Sequence, residues 1–284
     1  MQFGLSQEQI LLQDNVNRFL DDNSALDRVR TYADGGADAD IWAGLAELGI
    51  PALLIPEAQG GIGLQPLDAA IVAECLGSHI APTPFLESAV MAPTVLVASS
   101  GDHDELLAEI AAGTTRIGIA FGEAIKRRNN AGVTVKDGRM SGTSMYAFDA
   151  EANAYLVADQ HQHIYLVRAD DPGLKRSHLA TVDKTRRTVE LNYDNVTADL
   201  VSDDASVFTA TVDIGRMALA ADTLGAAQNM LDQAVEYAKQ REQFNRPIGS
   251  FQAVKHMCAE MAAQLEPCRS MVWFAGHALS LIHI

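Results

Sequence analysis

Cysteine is scarce in this sequence. Cys75, Cys258 and Cys268 are the whole supply, an odd number with no two in a CxxC spacing. That leaves no disulfide framework and points to a reducing compartment, so the expected location is cytoplasmic. Positive charge is in deficit: 21 Lys and Arg face 37 Asp and Glu, a net −16. Such a surface repels phosphate backbones, and no nucleic acid is expected as a partner. Long apolar runs are missing as well. The closest, Met271 to Ile284, is broken by Gly276, His277, Ser280 and His283. It is too short to span a bilayer, and Met1–Leu5 carries no basic, signal-like start, so neither membrane insertion nor a secretory leader is expected.

Several familiar chemistries are also missing. There is no GxxxxGKS/T phosphate loop, no HExxH zinc helix and no GxSxG nucleophile elbow. Gly61-Ile62-Gly63 lacks a third glycine and follows no clear strand, which removes a dinucleotide fingerprint. His161 and His163 show no apparent carboxylate or thiol partner and read as a polar turn rather than a metal pair.

What is present is an ordinary globular composition, 48% hydrophobic and 20% charged, in 284 residues. The length alone suggests about two domains; the pattern gives three segments. Residues 1–113 read as helices. Ser6 with Gln9 fits a capping box, Asp40 is placed to cap a helix carrying Trp42 and Leu45, Pro66 opens another, and Asp102 with Glu105 repeats the capping spacing. Pro82-Thr83-Pro84 reads as a break. Residues 114–208 alternate instead: Ile117, Ile119 and Phe121, then Val133 and Val135 before the hairpin signal Asp137-Gly138, then strands at 155–157, at 164–167 and around Val189. This predicts an antiparallel β domain. Residues 209–284 return to helical spacing. Met217, Ala220, Leu224, Ala227, Leu231, Ala234 and Ala238 form one apolar stripe, and Val254 through Leu279 a second. Ser250 is placed to cap the second helix and Pro267 to kink it. The fold class is mainly α with a central β domain, ending in a four-helix-bundle-type domain that reads as incomplete, because these stripes need further helices or a partner subunit to cover them. With the apolar ending at Ile284, the sequence suggests a C-terminal truncation.

One segment concentrates chemistry. Arg241-Glu242-Gln243-Phe244-Asn245-Arg246-Pro247-Ile248-Gly249-Ser250-Phe251-Gln252 joins the two long helices and gathers two arginines, amides and aromatics beside a helix N-terminus. Arginine forks suit phosphate, and a helix start carries partial positive charge. Read on its residues alone, the segment either caps helices or holds a pyrophosphate.

Here the sequence resembles the acyl-CoA dehydrogenases. The signature is Tyr237-x-x-x-Arg241-x-Gln243-Phe244-x-x-Pro247-Ile248-x-x-Phe251-Gln252, supported by the loop Pro56-Glu57-x-x-Gly60-Gly61-x-Gly63 and by the helix–sheet–helix order. The resemblance implies FAD as cofactor, an acyl-CoA substrate and an oligomer, homomeric or heteromeric, with FAD at a subunit interface. It makes an electron acceptor protein a possible further partner. Arg241, Gln243, Phe244 and Gln252 would contact the FAD held mainly by a neighbouring subunit. Phe121, Gly122 and Glu123 fall where the family has a Thr-Glu-Pro run against the flavin ring, and Tyr146 and Phe148 fall where it has a stacked tryptophan and a threonine. Gly122 and Phe148 therefore lose side-chain hydrogen bonds, while Tyr146 can still stack. The loop Ala124–Asn130 lacks the usual Gly-Ser-Asp and is short.

The implied reaction is α,β-dehydrogenation of an acyl-CoA thioester, in which a carboxylate takes the α proton and the β hydride goes to flavin N5. In the family the carboxylate lies either late in the C-terminal helices or just before an arginine on the first long helix. Here that arginine is Arg216 and the residue before it is Gly215, so no catalytic base is assigned. Asp213 matches an acidic position near the acyl-CoA site. Arg216 either helps order that site or forms a surface salt bridge. The alternative function is a non-catalytic partner subunit of a heteromeric acyl-CoA dehydrogenase, as in divergent sterol-degrading bacterial members. A flavin oxidase on the same fold is a third reading.

Overall fold

The structure, a computed structural model, describes residues 4–36, 39–126, 128–129 and 131–281. The start Met1–Phe3, the apolar ending Ile282–Ile284, and Arg127 and Asn130 of the shortened loop lie outside the described residues. Helices α1 (Gln7–Asn23), α2 (Leu26–Ala33), α3 (Ala39–Glu47), α4 (Pro66–Ser78), α5 (Ala92–Ala98) and α6 (Asp104–Ala111) come first, and a π-helical stretch at Phe85–Met91 leads into α5. Then follow β1 (Ile117–Ala120), a short α7 (Gly122–Ile125), β2 (Gly132–Lys136), β3 (Arg139–Phe148), β4 (Ala154–Ala158), β5 (Ile164–Arg168), β6 (Leu174–His178), β7 (Thr188–Thr197) and β8 (Asp199–Ser202). The chain closes with α8 (Ala205–Gln240), the two-residue strands β9 (Glu242–Gln243) and β10 (Arg246–Pro247), and α9 (Gln252–Leu281). A helical N-terminal domain, a central sheet and a C-terminal helical domain is the expected order.

Local chemistry explains several boundaries. The capping box at Ser6 is complete: Gln9 N donates to Ser6 Oγ at 3.2 Å, and Ser6 N donates to Gln9 Oε1 at 3.0 Å. Three caps sit elsewhere than the spacing suggests. Asp40 lies inside the first turn of α3. Asp102 accepts from Asp104 N one residue before the true cap, His103. Ser250 falls in a 3₁₀ turn, with Phe251 directly before α9. Helix α9 runs through Pro267 without interruption. The stretch Phe85–Met91 is buried throughout. A helix without a polar face shows no amphipathic period, which is why it escapes a reading by periodicity.

The chain divides into two compact units. One gathers α1, α4 and the described residues from Met217 to Leu281. Its centre is α4, buried from Asp68 to Gly77. Glycines set its approach to α8: a Cβ on Gly77 would stand 1.9 Å from Asp222 O, and one on Gly225 1.9 Å from Glu74 O. Beside this crossing Arg269 of α9 pairs with the Glu74 carboxylate and donates from Nη2 to Gln228 Oε1 at 3.1 Å. Three helices are thus joined through one guanidinium. Between α8 and α9 an apolar groove of about 520 Å3 is lined by residues including Leu219, Leu224, Leu265 and Met271.

The other unit, Asp27–Gln65 and Pro82–Arg216, holds the sheet. Its order is β6-β7-β3-β1-β4-β5-β8, with β2 paired to β3. Alternation suggests antiparallel pairing throughout, but β1 and β4 run parallel in the register Ile117↔Ala154 to Ala120↔Val157, so the sheet is mixed. Alternation reports which face is buried, not strand direction. The Asp137-Gly138 turn joins β2 and β3 as expected, both residues having positive φ. Met140, Tyr155, Val157, Val189, Leu191 and Val196 fill the core. Ser88 ties the π-helical stretch to β1, accepting from Ile117 N at 2.9 Å.

Candidate functional site

In the sheet unit, Gly122 opens α7 and Phe148 ends β3. Phe121 is buried with its ring 5.2 Å from that of Phe208, so only its backbone is available to a ligand. Tyr146 differs. It lies in a register shift of β3 between Ser144 and Ala147, takes φ +58°, and is 47% exposed. A non-glycine residue in this left-handed region carries a cost of roughly 1–2 kcal/mol. The fixed ladder on both sides of the bulge holds it there. Phe148 is half-buried and offers no hydrogen-bond donor.

Glu123 and Arg128, the second not marked by the sequence, complete this surface. Glu123 is buried and accepts from Arg128 Nη1 at 2.7 Å, from Arg128 N at 3.1 Å and from Met145 N at 3.3 Å. The Arg128 guanidinium so held lies over the Tyr146 ring, 5.0 Å from its centroid. The identity of Glu123 hints at its partner-seeking burial, but the loop sequence shows nothing of where Arg128 points.

The other unit carries Arg241, Gln243, Phe244 and Gln252. After α8 the chain makes a tight hairpin, pairing Arg246 with Gln243 and Pro247 with Glu242, and Phe244 and Asn245 take positive φ at its tip. Two such residues in succession are the geometry of a type I′ turn. Ile248 N donates to Arg241 O at 2.8 Å and closes the loop base. The tip presents its side chains outward: Phe244 is 88% exposed, and Arg241, Gln243 and Gln252 are exposed. Phe244 meets Phe251 edge-on at 6.0 Å, and Arg246 lies over Phe251 at 4.1 Å. Among the described residues Arg241 and Arg246 have no carboxylate partner. The hairpin therefore offers two guanidiniums, two amides and an open aromatic ring beside the start of a 30-residue helix.

Asp213 and Arg216 sit on α8 and pair with each other, Nη1 to Oδ1 at 3.0 Å, with Arg216 exposed and Asp213 half-buried. Beside them a Cβ on Gly215 would stand 3.0 Å from the Met91 sulfur. The π-helical stretch thus fills the space that a longer side chain at 215 would need.

A buried charge cluster was also invisible to the spacing. Arg116 grips Asp149 with two bonds of 2.8 Å. Glu87 lies in the same surroundings, lining a small cavity with Phe148, Arg116, Asp149 and Arg186. Burial first, and then the negative charge of Asp149, push the Glu87 carboxyl up to about 8. Its hydrophobic neighbours Phe85 and Leu86 disguise it as an ordinary helical position. The His161–His163 turn does have a carboxylate: Asp159 Oδ1 accepts from both backbone N–H groups, at 2.8 and 3.0 Å, and so shapes the turn. Burial pushes the Cys75 thiol up to about 12 and keeps it a neutral core group. Among the described residues no helix is long and apolar enough to cross a membrane.

A flavin dinucleotide needs a cationic, donor-rich cradle for its diphosphate and a free flat face for its ring. The hairpin has the donor set for the first. The sheet unit does not offer the second freely in this conformation, because Arg128 lies over the Tyr146 ring and neither Gly122 nor Phe148 has a side-chain donor.

Comparison with known proteins agrees with the fold order. Residues 6–114 match the acyl-CoA dehydrogenase N-terminal domain and residues 205–283 the acyl-CoA dehydrogenase C-terminal domain. The chain is similar to acyl-CoA dehydrogenase IpdE2 of Mycobacterium tuberculosis, 33% identical over 253 residues, which span 88% of this chain and 69% of that protein. Among solved structures, the ChsE4-ChsE5 complex from Mycobacterium tuberculosis superposes with a TM-score of 0.87 at 26% identity, covering 97% of this chain and 79% of that one. A Tcur3481-Tcur3483 steroid ACAD variant gives 0.84 at 27%, covering 95% and 77%. The chain belongs to the acyl-CoA dehydrogenase family, oxidoreductases whose cofactor is FAD.

Proposed function

We propose that this chain is a subunit of an oligomeric acyl-CoA dehydrogenase that performs α,β-dehydrogenation of an acyl-CoA thioester. The observation that carries this reading is the hairpin, whose Arg241, Gln243, Phe244 and Gln252 are exposed and whose arginines have no carboxylate partner among the described residues. In this reading Arg241 neutralises the dinucleotide's diphosphate, Gln243 and Gln252 donate amide hydrogens, and Phe244 covers an apolar face. FAD, when bound, supplies the acceptor for the β hydride. Phe121 and Gly122 offer backbone groups to the ring region, Tyr146 a stacking face, and Phe148 an apolar wall that excludes water. Asp213 and Arg216 order the acyl-CoA site through their mutual pair. No residue among those described is assigned as the base. Similarity to a structure described as a steroid ACAD supports a sterol-derived acyl chain. An electron-transfer protein and a cytoplasmic location complete the proposal.

A second reading is favoured by Arg128 over Tyr146 and by Gly215: a non-catalytic partner that lends its hairpin to another subunit's FAD. Similarity to a structure described as the ChsE4-ChsE5 complex supports such an assembly. The absorbance spectrum of the purified full-length protein separates the two. Stoichiometric flavin in the protein alone supports the enzyme. A colourless protein that acquires flavin only with a second chain supports the partner. No flavin in either state overturns both.

A further inference from the structure

We propose that Arg128 is a built-in occupant of this chain's own ring-binding surface, laid over Tyr146 by the buried Glu123 carboxylate, so that a flavin ring enters there only by displacing it. This rests on Tyr146 and Gly122 being the ring-facing residues of the proposed function.

Three observations converge on the one guanidinium. Tyr146 holds a strained backbone, φ +58°, at a bulge that turns its ring outward. Strain of this kind is kept where the surroundings over-determine it, and it gathers at sites that present a side chain. The presented ring is not bare, because Arg128 Cζ stands 5.0 Å from its centroid. Glu123 fixes that position from below: one oxygen takes Arg128 Nη1 at 2.7 Å and the other takes Arg128 N at 3.1 Å. With its side chain only 4% exposed, Glu123 would lose its counter-charge if the Arg128 guanidinium left and keep only the N–H groups of Arg128 and Met145, a costly state for a buried carboxylate. Gly122 provides the room. A Cβ there would stand 3.2 Å from Arg128 Nη1 and 3.4 Å from Met145 O, so a branched side chain at 122 would press on the guanidinium. The missing side chain at 122 and the cation at 128 are therefore one arrangement, not two independent changes.

The consequence is a competition. A ring ligand must replace a cation–π contact and break a charge-assisted pair before it gains its own stacking. The test is a titration of the purified full-length protein, with its partner chain if one co-purifies, using free FAD and following flavin fluorescence. Arg128→Ala is expected to bind FAD about tenfold tighter than the wild type, or to take up FAD where the wild type takes none. Arg128→Gln, which keeps a polar side chain of similar reach without the charge, is expected to shift the same way and serves if the alanine variant does not fold. Equal binding by wild type and variants overturns the proposal, and so does weaker binding by the variants, which would make Arg128 a ligand. Arg241→Ala in the same titration distinguishes the two readings. It is expected to move binding in the opposite direction, and its failure to do so would remove the hairpin's role while leaving the Arg128 result to stand by itself.

Discussion

Single residues divide into those that a signature marks in the sequence and those that only folding brings together. The spacing of Arg241, Gln243, Phe244 and Gln252 is legible as a signature, and the structure places these residues exposed on a hairpin and a helix start; their contact with FAD belongs to the proposed function. Their exposure on a tight turn is the structural half of that argument. Arg241→Ala should therefore weaken FAD retention in the oligomer by about tenfold, the worth of one charge-assisted contact; flavin content after gel filtration measures it. Glu87 was not legible, since its neighbours Arg116 and Asp149 lie far from it in the chain. It yields a pH prediction. Its carboxyl is held at about 8 against an ordinary 4.5. A folded-state value raised in this way gives stability that is fully present below the unfolded value and lost as pH rises through about 8. The groups facing it are Asp149, Arg116 and Arg186. The thermal midpoint of the wild type should fall between about pH 5 and pH 8.5 by more than that of Glu87→Gln. Parallel curves for the two proteins would contradict the assignment.

At the level of elements, the strongest signals were chemical punctuation. The Ser6 capping box and the Asp137-Gly138 turn are where the spacing places them. Both signals depend on contacts within a few residues, so the sequence carries them whole. What the pattern hid at Phe85–Met91 has a clear cause: the stretch is buried on all sides, so its apolar content has no period. The parallel β1–β4 pair was hidden because strand direction leaves no mark on alternation. How α4, α8 and α9 are held was equally silent, because Glu74, Gln228 and Arg269 are widely separated. Removing one member of a buried pair strands the other. Arg269→Met should lower unfolding free energy by about 3–5 kcal/mol, and adding Glu74→Gln should recover much of the loss. Denaturant titrations of the singles and the double provide the check. Gly225→Ala sets a Cβ against the Glu74 carbonyl and should cost about 1–3 kcal/mol. A neutral Gly225→Ala would mean that α4 and α8 are not so closely packed.

For the whole molecule, net charge steered the reading away from nucleic acid and concealed a local cationic hairpin in an acidic chain. Family membership follows from the match of both helical segments and from similarity along most of the chain. The structure adds an asymmetry: an exposed hairpin whose two guanidiniums have no carboxylate partner among the described residues, and a sheet surface on which Arg128 lies over the Tyr146 ring. This asymmetry suits a subunit that gives more to a shared cofactor than it holds by itself. The central claim, that the chain serves acyl-CoA dehydrogenation through FAD, is tested most directly by adding an acyl-CoA anaerobically to the purified assembly and following the flavin's visible absorbance. The account predicts that the flavin bands bleach with the acyl-CoA and that the Arg241→Ala assembly, depleted of flavin, shows a smaller change. An assembly that contains flavin but keeps its bands unchanged across acyl-CoA substrates, sterol-derived ones included, would contradict it.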